Sequence, residues 1–196
     1  ATFTDGVLTV GQKALTITAD AKTKVYGAAN PALTATITGF ANGETLATSG
    51  VTGAASVTTT ATALTGVGSA TLTAAVGNLV SANYAFTFTD GALTITKAPL
   101  TVTANPVGRV YGAANPALTA TLTGFVNGET LGTSGVTGTA AVTTTATLTS
   151  PATTYVITPA LGDLAAANYA FATFTDGVLT VGQKALTITA DAKTKV

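Results

Sequence analysis

Self-comparison constrains this chain more than any other feature, because one long segment is spelled twice. VYGAANPALTATITGF at Val25–Phe40 returns as VYGAANPALTATLTGF at Val110–Phe125, and NGETLATSGVTG from Asn42 returns as NGETLGTSGVTG from Asn127. Leu15 and Leu100 are 85 positions apart, while Leu100 and Leu186 are 86 apart, the extra residue falling near Ala172. The block ATFTDGVLTVGQKALTITADAKTKV also occurs identically at both ends, as residues 1–25 and 172–196. The expected organisation is a window on a longer array. Residues 1–13 are the final hairpin of a preceding repeat, 14–98 repeat one, 99–184 repeat two, and 185–196 the first strand of a following repeat.

Within each repeat apolar residues alternate with threonine at period two, as in Leu15-Thr-Ile17-Thr-Ala19, Leu33-Thr-Ala35-Thr-Ile37 and Leu93-Thr-Ile95-Thr. This is the pattern of half-buried strands. Threonine, about a quarter of all residues, suits it twice over: the branched stem favours the pleated backbone and the hydroxyl wets the outer face. About seven strands per repeat follow, with further ones near 51–62 and 69–75 and turns near Asn30-Pro31 and Gly77-Asn78. Asp90-Gly91, repeated at Asp5-Gly6 and Asp176-Gly177, reads as a type I′ hairpin turn that sets Phe88 opposite Leu93 and Phe86 opposite Ile95. The extra residue of repeat two throws Phe171 out of phase and predicts a β-bulge at Phe171–Thr173. One helical turn is expected at Asn42–Ala47, where Asn42 can cap and Glu44 meets the positive end. The fold class is all-β, small Ig-like sandwiches arranged end to end, with β-grasp-like repeats as the alternative. Thr96-Lys97-Ala98-Pro99 leaves too little chain for a flexible tether.

Charged residues make up 8% of the chain, and eight basic against eight acidic give no net charge. Long-range attraction to nucleic acid or to an anionic lipid surface is therefore excluded. No apolar run reaches the length of a membrane-spanning helix. There is no Cys, His, Met or Trp, which removes thiol nucleophiles, imidazole bases and the commonest transition-metal ligands together. The acids sit at turns: Asp90 and Asp176, Glu44 and Glu129 beside Asn-Gly, and Asp163 after Gly162. Turn chemistry explains them better than a paired-carboxylate or calcium site. Lys22 or Lys24 with Asn83 and Glu44 could suggest a Lys–Asn isopeptide bond, but the matching strand of repeat two, Leu100–Arg109, has no lysine, so these lysines are expected to be solvated charges. Tyr26, Tyr84, Tyr111 and Tyr169 suit corner or core packing, each phenol finding a backbone partner. Threonine rows of an ice-ordering kind need a flat regular face, which a twisted sandwich offers only in fragments. No catalytic, cofactor-binding or metal-ligating residue is expected, and no enzymatic activity.

VYGAANPALTATITGFANGETL followed by SANYAFTFTDGALTITKA resembles the MBG-type (YGX) repeat of very large bacterial surface proteins and haemagglutinin-like adhesins. The resemblance rests on Tyr26-Gly27, Asn30-Pro31, Asn42-Gly43, Asn83-Tyr84 and Asp90-Gly91 with their second copies, and covers both repeats. It implies display outside the bacterial cell in a fibrous or adhesin-like protein, and it transfers no binding residue. The expected role is a structural repeat of a surface rod or filament. Its partners are neighbouring repeats and other copies meeting at charge-poor strand edges. The alternative is a multivalent adhesin repeat that binds host or matrix glycans.

Overall fold

The computed structural model describes residues 2 and 4–195, and the chain divides into two compact units at Lys97/Ala98. Among the described residues each unit holds seven strands, and no helix is long and apolar enough to cross a membrane.

In the first unit the strands are β1 (Lys13–Ala19), β2 (Lys22–Val25), β3 (Ala35–Thr38), β4 (Ser56–Thr58), β5 (Gly68–Ala75), β6 (Tyr84–Thr89) and β7 (Gly91–Thr96). They form a three-stranded sheet ordered β3-β1-β6 and a four-stranded sheet ordered β2-β7-β5-β4. In the second unit β8 (Ala98–Ala104), β9 (Val107–Val110), β10 (Ala120–Thr123), β11 (Ala141–Thr144), β12 (Thr154–Ala160), β13 (Tyr169–Thr175) and β14 (Gly177–Gly182) repeat the arrangement as β10-β8-β13 and β11-β12-β14-β9. β1 packs across onto β5, as β8 does onto β12. Each unit is therefore a β-sandwich. The inward residues of the alternating runs make its core: Leu15, Ile17, Leu72 and Leu93 in one unit, and Leu100, Val102, Ile157 and Leu179 in the other, all fully buried.

The Asp-Gly steps are not hairpins. β6 pairs in parallel with β1, setting Leu15 beside Phe86 and Ile17 beside Phe88, whereas β7 pairs with β5 and β2 in the other sheet. Asp90 is a corner at which the chain crosses between sheets, matching the crossing between β1 and β2 at Asp20-Ala21. The physical reason is burial. In the other sheet Leu93 and Ile95 are almost wholly buried, at 0% and 2% exposure, while Phe88 on β6 stays 43% exposed, so crossing over removes apolar surface from water. Gly91 does not adopt positive φ. It lies so close to Ala19 that a Cβ there would stand 2.3 Å from the Ala19 carbonyl oxygen. Asp90 seals the corner by accepting the Ala74 N–H at 3.1 Å.

The bulge is present. β13 runs parallel to β8 with Phe171 beside Leu100 and Thr173 beside Thr101, so Ala172 is the unmatched residue. Because the register recovers at once, Thr173 and Thr175 align with Thr101 and Thr103 as Thr87 and Thr89 align with Thr16 and Thr18. Asn42–Ala47 forms turns and no helix: Asn42 has φ 54° and the Glu44 N–H reaches back to Ala41 O at 2.8 Å. The turn expected at Asn30-Pro31 lies earlier, at Tyr26-Gly27.

The two ends also differ from expectation. Residues 4–12 form no hairpin and residues 183–195 contain no strand. Leu8 is 88% exposed although its letter-for-letter counterpart Leu179 is fully buried, and Leu186 is 88% exposed although Leu15 is fully buried. In each case the strands that cover the buried copy have no counterpart beside the exposed one.

Candidate functional site

The first residue of β6 organises the loop that follows β3. The Tyr84 hydroxyl accepts the Ala41 N–H at 3.0 Å and donates to Glu44 Oε2 at 2.5 Å, while Phe40 meets its ring edge-on at 5.9 Å. The second unit repeats the clasp: Tyr169 accepts from Val126 N–H, donates to Glu129 at 2.5 Å, and meets Phe125 at 5.5 Å. The hydrogen bond to the Glu44 carboxylate pushes the Tyr84 phenol above its ordinary pKa. Glu44 and Glu129 thus serve as anchors of a loop. Of the four repeat tyrosines, Tyr26, Tyr84 and Tyr169 are buried as core packing requires, whereas Tyr111 is 44% exposed. Beside Tyr84 a cleft of about 380 Å³ is lined by Gln12, Asn42, Glu44 and Asn83.

Lys24 is buried, and its ammonium donates to the carbonyls of Thr62 at 2.6 Å and Ala28 at 3.2 Å. Arg109 takes its place in the second unit, donating to Asn115 Oδ1 at 2.7 Å and to Thr147 O. The residues considered for an isopeptide bond are thus engaged separately: Lys24 ties two loops, and Glu44 holds Tyr84. The solvated charge expected at Lys24 is in fact buried. Its aliphatic stem continues the inward side of β2 while carbonyl oxygens satisfy the head.

Two further acids hold loops. Asp20 accepts the hydroxyls of Thr34 at 2.5 Å and Thr36 at 2.7 Å, which lower its pKa. Asp163 accepts the Thr139 N–H at 2.6 Å and its hydroxyl at 3.1 Å, with the same effect. Asparagine replaces each acid in the other unit, Asn105 bonding Thr119 and Thr121 and Asn78 bonding Ala54 N–H. Asn105 donates to Thr119 where Asp20 accepts from Thr34, so the position calls for a hydrogen-bonding group and does not require a charge. Among the described residues no three Asp or Glu side chains group to hold a metal ion.

Both units open at the same place. In the first, Leu33, Ala35, Ile37, Leu46 and Leu79 line a groove of about 360 Å³ between β3 and the Gly53–Ala55 segment. In the second, Leu118, Ala120, Leu122, Leu131 and Leu164 line its counterpart of about 260 Å³ against Gly138–Ala140. No charged side chain lines either groove. Along the groove runs an open strand edge, since among the described residues β3 pairs only with β1 and β10 only with β8. The Asp20 N–H bonds Thr34 O at 2.8 Å, which makes Asp20–Thr34 a hydrogen-bonded pair. Alternation then turns the backbone groups of Ala35 and Ile37 away from β1. The Asn105–Thr119 bond at 2.9 Å does the same for Ala120 and Leu122. Sequence reasoning missed these grooves. The signal was the recurrence of Leu46 and Leu79, outside any alternating run, at Leu131 and Leu164.

The family model of the MBG domain (YGX type) matches residues 15–94 and again residues 100–180. The chain belongs to that family. No curated protein matches it. The two MBG domains account for every buried core residue named above, and the corners, clasps and grooves occur once in each.

Proposed function

We propose that the tandem MBG domains are structural repeats of an extracellular bacterial surface rod or filament, without catalysis of their own. One observation carries the reading: β7 of the first domain ends at Thr96 and β8 of the second begins at Ala98, so Lys97 alone joins two folded domains. A joint of one residue has none of the length that lets a linker behave as a coil. The near-zero charge and absent thiols fit a long polymer exposed to an oxidising exterior. A shaft gains reach from each copy added, and adding copies needs no new chemistry.

The test is a series of chains with two, four and eight domains, measured by small-angle X-ray scattering. Stiff stacking lengthens the particle linearly, by roughly 30–40 Å per domain. Growth with the square root of domain number would mean a flexible string and would overturn the proposal.

A second reading, glycan binding by an adhesin repeat, draws on the cleft beside Tyr84, where Gln12, Asn42, Asn83 and Glu44 offer hydrogen-bonding groups. Against it, the Tyr84 ring is buried under Phe40 and has no open face for a sugar to stack on. A glycan array probed with the two-domain chain decides this reading, which fails if no sugar rises above background.

A further inference from the structure

The groove and the open strand beside it form one surface, and what fits it can be argued from the strand itself. An added strand needs outward backbone groups to bond, a face for its apolar side chains and no charge to repel it. Ala35 and Ile37 supply the first, and the groove of Leu33, Leu46 and Leu79 supplies the second. The nearest acid, Asp20, is turned back onto Thr34 and Thr36 of its own sheet. Edge strands are ordinarily guarded by lysine, proline, a bulge or an inward charge. β3 (ATIT) and β10 (ATLT) contain none of these.

We propose that β3 and β10 are self-docking edges, where the edge strand of one molecule adds antiparallel to the edge strand of a second copy and their apolar side chains share the grooves. The occupant is a second copy because the edge is complementary to itself. Centred on Thr36, an antiparallel pair sets Ala35 of each strand opposite Ile37 of the other, so every outward N–H and C=O finds a partner in about four new hydrogen bonds. Thr36 then faces Thr36 of the second copy as a close, non-bonded pair. The inner face joins alanine to isoleucine, and the outer face joins threonine to threonine. The near-identity of β3 and β10 lets either edge receive the other. A single pair of this size is small for a protein interface, so association is weak and grows with concentration. Two such edges in every MBG pair, multiplied along an array, supply avidity. The inference deepens the filament reading by naming the surface through which shafts bundle, and its failure would leave the stiffness test untouched.

The decisive experiment is sedimentation equilibrium of the intact chain up to about 1 mM, beside the double variant Ala35→Pro/Ala120→Pro. Proline at these positions removes only an outward donor and spares every bond to β1 and β8. The wild type is expected to rise above the 19.0 kDa monomer while the folded double variant stays at it. A second measurement does not depend on proline being tolerated. The chain has no cysteine, and a close cross-strand pair lies about 4.5 Å apart, within disulfide reach. The Thr36→Cys chain is expected to form disulfide-linked dimers at least ten times faster than the exposed control Ala113→Cys. A wild type that stays monomeric at the highest concentration overturns the proposal. So does a folded proline variant that associates like the wild type, or a Thr36→Cys chain that cross-links no faster than the control.

Discussion

Replacing Gly91 by alanine tests the corner topology directly. A Cβ at position 91 would lie 2.3 Å from the Ala19 carbonyl oxygen, 2.9 Å from its carbon and 3.2 Å from the Ala19 Cβ. The first two are backbone atoms where β1 ends and the third is a Cβ fixed to that backbone, so nothing can swing aside. Relief requires β1 or β7 to retreat by about 1 Å, which opens the packing of Leu15, Ile17, Leu93 and Ile95; overpacking of this kind costs about 1–3 kcal/mol. In a domain of this size each kcal/mol lowers Tm by about 4–8 °C, so calorimetry of Gly91→Ala should show the first domain melting roughly 5–20 °C earlier. Gly177→Ala should do the same to the second domain, where the Ala104 carbonyl oxygen stands at 2.4 Å. Gly6, in the same Asp-Gly step, has nothing within 4 Å, and Gly6→Ala should change stability by less than about 0.5 kcal/mol. Asparagine separates the two accounts of this step. A type I′ turn needs positive φ, which asparagine accepts, so a hairpin would tolerate Gly91→Asn better than Gly91→Ala. The corner must suffer at least as much from asparagine. A Gly91→Asn domain as stable as wild type would refute the close-approach argument.

Other predictions follow from the same geometry. Lys24→Met should cost about 1–3 kcal/mol, because the carbonyls of Thr62 and Ala28 lose a charged donor in a buried site; Lys24→Arg should stay close to wild type in urea titrations, since Arg109 already fills that place in the second domain. Asp20 and Asp163 both have lowered pKa values when folded. The stabilisation they add is therefore present above the ordinary carboxylate pKa and lost as pH falls through the lowered one. Asp20→Asn and Asp163→Asn should each flatten the acid limb of the stability–pH curve of its own domain, and an unchanged limb would mean that these carboxylates titrate normally. Extending the chain after Val196 by a copy of residues 26–98 should convert the segment around Leu186 and Ile188 into a strand, seen as protection of its amides from hydrogen exchange. Continued rapid exchange there would contradict the claim that missing partners alone keep it exposed.

Much of the MBG fold was legible in the letters. Period-two alternation marked β1, β3 and β7 and set Leu15 with Ile17, and Leu93 with Ile95, on one apolar face. Self-comparison located both domains, and one surplus residue located the bulge at Ala172. Alternation says which side chains share a face, however, and not which strand lies beside them. The Asp-Gly step reads as a hairpin from its letters, and only the pairing of β7 with β5 and β2 makes it a corner. The role of Lys24 and the grooves were hidden for the same reason. Both arise from carbonyls and leucines that lie tens of residues apart along the chain.

The repeated block shows the division most clearly. Gln12–Lys24 and Gln183–Lys195 have the same letters, yet the first copy forms β1 and β2 while the second forms no strand. The letters show that the block can be a strand and which face of it would be apolar; they do not show the break at Asp20, where the structure divides β1 from β2. Whether it becomes a strand depends on the neighbours that the fold brings beside it. Strand hydrogen bonds and the burial of Leu15 and Ile17 are supplied by β3, β6 and β5, and where no such neighbours surround Leu186 and Ile188 the same residues have nothing to bond or to bury against.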